Sequence, residues 1–217
     1  MSTIMEEILT CAVCGKESGH VFLSSSNCSG EPDLDFRPSE MLRSTMGYWI
    51  NECPHCGYAS GSLDDPTSVD EGWLKTEAYH SANTIAFTSI LAKSFYKSYL
   101  IKIKDNNYKD AFYAALHAAW ACDDSNDIDS AIVCRKAALE QLDLLIASDA
   151  TNSDSTETYR IIRMDLLRRI GLFSEVISEY SNVMFSSDLS NQIREFQLYL
   201  AQQCDTNCYT VEDCFNK

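Results

Sequence analysis

Long apolar runs are missing from this chain: nowhere do the roughly 18 to 20 consecutive apolar residues occur that a helix needs to cross a bilayer. No secretory leader is expected either, because Glu6 and Glu7 stand where a basic segment belongs and no apolar stretch follows them. Positive charge is scarce, with 17 Lys and Arg against 32 Asp and Glu and a formal net charge of −15. Nucleic acid is bound by replacing condensed counterions with a basic face, so this balance argues against a DNA or RNA partner and against an anionic membrane surface. Also absent are a glycine-rich phosphate loop, a G-x-S-x-G elbow and an H-E-x-x-H helix. His80 and His117 have no Glu or second His three or four residues on to complete a metal pair. The expectation is a soluble, cytoplasmic protein without a membrane partner. The 45% hydrophobic and 11% aromatic content shows that it folds.

Cysteine, by contrast, is plentiful at ten residues, which in a reducing compartment points to metal binding and buried thiols. Two stretches organise the front of the chain: Cys11-Ala12-Val13-Cys14-Gly15 and Cys53-Pro54-His55-Cys56-Gly57. Each is C-x2-C followed by glycine, a short reverse bend whose two thiolates face one ion and whose glycine tolerates the positive φ the bend demands. Together they supply four soft ligands, the closed tetrahedral donor set of one structural Zn²⁺. Reduced thiol turns without metal are the bland competitor. A redox dithiol is disfavoured because neither motif sits at a strand-to-helix junction of a βαβ unit. Cys28, His20 and His55 are poor substitute ligands, and Cys122 and Cys134 read as small apolar residues in helices. Cys204, Cys208 and Cys214 form either a second metal or redox cluster or three unrelated thiols.

The predicted order is a leader at Met1–Thr10, a short strand at Val21–Leu23, a Pro-bounded loop at Pro32–Pro38 and a strand at Met46–Glu52 leading into the second cysteine motif. Within that loop Asp33, Asp35 and Arg37 could recognise a polar ligand or a second cation. The alternative is that Arg37 pairs with a neighbouring carboxylate and fixes the loop. After a turn-rich linker, Gly61–Gly72, the apolar period becomes helical. Helices are predicted over about Leu74–Ile103, with its lysines as a solvated face, then Tyr108–Cys122, Ile128–Ala147, a segment opened by Asp154 and Glu157 and ended by Gly171, Ser174–Phe185 and Leu189–Gln203. The fold class is therefore a small β-type zinc ribbon with four cysteine ligands at 1–62, followed by an all-α, helical-hairpin domain at 73–217.

The run Gly171-Leu172-Phe173 through Tyr180 to Val183 resembles the turn and second helix of a tetratricopeptide repeat, a hairpin repeated about every 34 residues. Asn126–Ala138 is a fainter copy, with Arg135 where an aromatic belongs. Cys14-Gly15-Lys16, a long insert, and Trp49 leading to Cys53-Pro54-x-Cys56-Gly57-Tyr58-Ala59 resemble the bacterial family filed as domain of unknown function 2225. That resemblance implies a zinc ribbon ahead of tetratricopeptide-like helices and no assigned activity.

Two functions follow as expectations. One is a non-catalytic adaptor whose helical surface binds a protein or peptide, with exposed aromatics such as Tyr96, Tyr99, Tyr113 or Tyr159 on its concave face. The other is an enzyme or ligand sensor with a polar site at Asp33, Asp35 and Arg37 against the ribbon. Nucleic-acid binding through Lys16, Arg37 and Arg43 is opposed by Glu31, Asp33, Asp35 and Glu40.

Overall fold

The computed structural model describes residues 2–148 and 153–215, the side chains of 153–155 excepted. The predicted Asp154 cap and most of the predicted 149–155 loop lie outside the described residues. The chain divides into two compact units, Met1–Cys28 with Glu40–Gln141, and Ser29–Ser39 with Leu142–Lys217.

The first unit opens with two antiparallel hairpins. β1 (Thr3–Thr10) pairs with β2 (Glu17–Ser25), and the two-residue strands β3 (Asn51–Glu52) and β4 (Ala59–Ser60) pair with each other. Strand alternation places Ile4/Leu23, Glu6/Val21 and Ile8/Gly19 on one face of the first hairpin, and Met5/Phe22, Glu7/His20 and Leu9/Ser18 on the other. Leu9 and Phe22, from the second face, join the core. Of the strand expected at Met46–Glu52, only Asn51–Glu52 is strand, and Met46–Tyr48 close a 3₁₀ turn that starts at Arg43. The Thr45 hydroxyl donates to the Leu42 carbonyl at 2.6 Å and accepts the Trp49 indole N–H at 3.0 Å, local bonds that favour a tight turn over a ladder.

The helix expected over Leu74–Ile103 is broken. A 3₁₀ turn at Trp73–Lys75, α1 (Glu77–His80) and another 3₁₀ turn at Ser81–Asn83 precede α2 (Ile90–Lys104). Ser81 and Thr84 direct their hydroxyls to backbone carbonyls three residues back, and Ser89 accepts the Ala92 N–H at 3.2 Å as an N-cap. The lysine face is also less solvated than expected, since Lys97 pairs with Glu52 at 2.5 Å. α3 (Tyr108–Asp124) runs as predicted and is buried along most of its length, with Cys122 packed as a small apolar residue. α4 (Ile128–Ser148) follows.

In the second unit α5 (Ser153–Arg169), α6 (Phe173–Tyr180) and α7 (Asp188–Gln202) pack on one another. The loop of residues 29–39 joins them through the C-terminal tail: Leu34 N–H donates to Tyr209 O at 2.9 Å, and Val211 N–H to Pro32 O at 2.8 Å.

Four helices end in the same way. After α2, α3, α5 and α7 a residue with positive φ, namely Asn106, Asn126, Gly171 and Cys204, donates back to the helix. The next N–H then reaches the carbonyl five residues earlier, as in Asn107 to Lys102, Asp127 to Cys122, Leu172 to Leu167 and Asp205 to Leu200. This is the Schellman closure, which glycine and asparagine tolerate best. Cys204, at φ 54°, has no such tolerance. We expect Cys204→Gly to stabilise the protein by about 1 kcal/mol, and Gly171→Ala to destabilise it by a similar amount, in urea unfolding.

No helix among the described residues is long and apolar enough to cross a membrane.

Candidate metal centre

The tip of each front hairpin is a cysteine turn, and the two turns share one hydrogen-bond pattern. Cys11 N–H donates to Lys16 O at 3.0 Å and Gly15 N–H to Cys11 O at 2.8 Å, while Cys53 N–H donates to Tyr58 O at 2.8 Å and Gly57 N–H to Cys53 O at 2.9 Å. Closing the bend puts Gly15 at φ 69° and Gly57 at φ 78°. A side chain at either position would be strained by the backbone alone.

The turns bring the Sγ atoms of Cys11, Cys14, Cys53 and Cys56 within 4.8 Å of one another. Cys11 and Cys56 are 3.7 Å apart, as are Cys14 and Cys53. A Zn–S bond of about 2.3 Å gives a tetrahedron with edges of about 3.8 Å, so these separations fit a tetrathiolate ion site and are far too long for disulfides. Cys11 and Cys53 are 1% exposed.

Burial pushes the Cys11 and Cys56 thiols above the ordinary thiol range. At Cys53 burial acts the same way, but the N–H groups of Cys56 and His55 outweigh it and hold that thiol lower. A dication at the centre overrides such preferences, because coordinated thiols are bound as thiolates.

Neighbouring elements hold the turns in place. Ala12 N–H donates to Leu63 O at 2.8 Å, Tyr79 Oη to Gly57 O, and Lys97 Nζ and Ser94 Oγ to the Glu52 carboxylate at 2.5 and 3.2 Å. The cysteines share one core with Leu9, Tyr58, Leu63, Val69, Leu74, Tyr79 and Ile101, so the site and the first helices are built on the same buried apolar surface. None of these partners is legible at motif spacing. Lys97 lies 45 residues from Glu52, and Leu63 lies further still along the chain from Ala12.

The other candidates fall elsewhere. Cys28 is exposed, His20 bonds Ser18 Oγ at 2.7 Å, and the exposed His55 ring contacts Glu17 O at 3.3 Å. Among the described residues Cys204, Cys208 and Cys214 do not gather into a metal-ready group. Asp33, Asp35 and Arg37 do come together, at 3%, 1% and 3% exposure in the second unit. Asp35 Oδ1 accepts the Arg37 N–H at 3.2 Å, Asp33 N–H donates to Arg37 O at 2.9 Å, and Cys208 Sγ donates to Asp33 Oδ2 at 3.2 Å. Such depth suits a polar network that fixes the loop against the tail.

Paired cysteine hairpins with a four-thiol cluster, followed by a mostly helical region, define a small metal-ready lobe on a helical protein. The chain belongs to the family described as "Uncharacterized protein conserved in bacteria (DUF2225)", whose model matches residues 4–203. Searches of curated proteins and of solved structures found no match.

Proposed function

We propose that the four thiols bind one structural Zn²⁺ as a zinc ribbon within residues 1–62, and that the protein is a non-catalytic cytoplasmic adaptor for a protein or peptide partner. In this reading residues 73–217 form tetratricopeptide-like helical hairpins, supported by the tight, repeated Schellman turns between helices. Four thiolates saturate a tetrahedral ion and leave no position for substrate, which supports a structural rather than a catalytic metal.

The partner surface differs from the expected one. Tyr99 and Tyr159 are each 8% exposed, and Tyr96 and Tyr113 are half-buried, so these aromatics do not make an open concave face. The observation that carries the adaptor reading is the outward face of the β1–β2 hairpin. Ile4 is 53% and Ile8 74% exposed, flanked across the strands by half-buried Leu23 and Val21. This largely apolar face, interrupted by Glu6 opposite Val21, on a two-stranded hairpin with open edges suits an added strand or a peptide with apolar anchors.

Ile8→Glu combined with Val21→Glu should therefore abolish capture of the native partner from cytosol while leaving zinc content and the circular dichroism spectrum unchanged. Retention of the partner by this variant would sink the assignment of the hairpin as the docking face.

A further inference from the structure

A recess of about 210 Å³ lies between the second cysteine hairpin and the α2–α3 pair, all within the first unit. Its wall is aromatic: Trp49, Phe95, Tyr113 and His117 line it. The His117 ring is the hub, 5.3 Å from Trp49, 5.2 Å from Phe95 and 6.2 Å from Tyr113. The indole N–H of Trp49 is committed to Thr45 Oγ1 at 3.0 Å, which fixes that ring in position. Packing therefore preorganises the rings.

The polar groups of the recess are of both signs. Lys102 supplies an ammonium, and Asp65 and Asp110 supply carboxylates. Asp110 is steadied by Asn107 Nδ2, which donates to its Oδ2 at 2.8 Å. The fully buried Ser60 hydroxyl, also in the lining, neighbours the buried Tyr58 hydroxyl, and neither makes a hydrogen bond of good geometry. A buried hydroxyl without a partner costs stability unless something else satisfies it.

We infer that this recess is a binding site for a small zwitterion with an apolar or aromatic side chain, that is, a free α-amino acid. The volume is below the roughly 300 Å³ at which drug-sized sites begin, which selects a metabolite-sized occupant. The rings take the side chain. Asp65 and Asp110 take its ammonium, Lys102 takes its carboxylate, and Ser60 offers a further hydrogen bond. A purely cationic ligand would leave Lys102 repelling it, and a purely anionic one would face two carboxylates. The inference goes beyond the adaptor reading and stands on other residues.

The test is calorimetric titration of the full-length, zinc-loaded protein with L-phenylalanine and L-leucine, beside phenethylamine and phenylpropionate, which each lack one charge. Saturable binding of at least one amino acid is expected, with each single-charge analogue about tenfold or more weaker than phenylalanine. Lys102→Met should remove the preference for phenylalanine over phenethylamine, and Asp65→Asn should weaken phenylalanine. Both side chains lie at or near the surface, and unchanged zinc content confirms that the variants fold. Absence of saturation by either amino acid, equal binding of phenethylamine and phenylalanine to the wild type, or indifference to Lys102→Met would each overturn the proposal.

Discussion

On the zinc assignment proposed above, Cys53→Ser is expected to abolish metal retention and, with it, the cooperative unfolding of the first unit. Structural zinc in small modules binds with an apparent free energy of about 10 to 16 kcal/mol, whereas whole domains are stable by only about 5 to 15 kcal/mol. Losing one ligand of four therefore removes more than the unit holds in reserve. The loss should spread beyond the two hairpins, because Cys11 and Cys53 are buried in one cluster with Leu74 and Tyr79 and with Ile101 of α2. Metal analysis should fall from one zinc per chain to none, and amide exchange in α2 should accelerate along with that of β1 and β2. Cys28→Ser, at an exposed thiol outside the cluster, is the control and should leave both readouts unchanged. A Cys53→Ser protein that melts like the wild type would show that the four sulfurs carry no structural load.

The second large effect is in the other unit. Arg168 is fully buried and donates to Asp165 Oδ1 at 2.6 Å, Asp205 O at 2.9 Å and Asn207 O at 2.8 Å, and its guanidinium lies 5.7 Å from the centre of the Tyr209 ring. One cation thus ties α5 to the turn after α7 and to the tail. Asp165 is 2% exposed. Arg168→Met removes its neutralising partner and leaves two buried carbonyls without a donor. The expected cost is about 3 to 5 kcal/mol, read as a lower urea midpoint for the second unit. The double variant Asp165→Leu, Arg168→Met should recover part of that loss, since replacing both members of a buried pair costs less than orphaning one. If Arg168→Met proved neutral, the buried ion pair would not be what fastens the tail.

Neither Asp165 nor Arg168 was visible as special in the sequence. They sit three residues apart on a helix, a spacing that by itself says nothing about burial. What buries them is the return of the tail across α5, a long-range event that helical periodicity does not encode. The same holds for Lys97, which reads as one of a solvated row of lysines yet pairs with Glu52 on β3. Two predicted elements gave way for a related reason. A hydroxyl just ahead of the strand predicted at Met46–Glu52, that of Thr45, and those of Ser81 and Thr84 inside the helix predicted over Leu74–Ile103 bond local carbonyls and turn the chain. α3 and α5 were legible because their apolar stripes are long and Asn126 and Gly171 close them, whereas the helix predicted over Ser174–Phe185 stops at Tyr180.

The sequence alone determined the four sulfurs, the two glycine-closed turns, the helical character of the rest and the family resemblance, because short-range spacing and backbone φ preference dictate them. Only the tertiary structure decided that Asp33, Asp35 and Arg37 are buried together beside Cys208, that Tyr99 and Tyr159 face inward, and that Trp49 and His117 line one recess. Those outcomes depend on which surfaces meet across tens of residues, where burial and hydrogen-bond partners are set by the packed fold and not by neighbours along the chain.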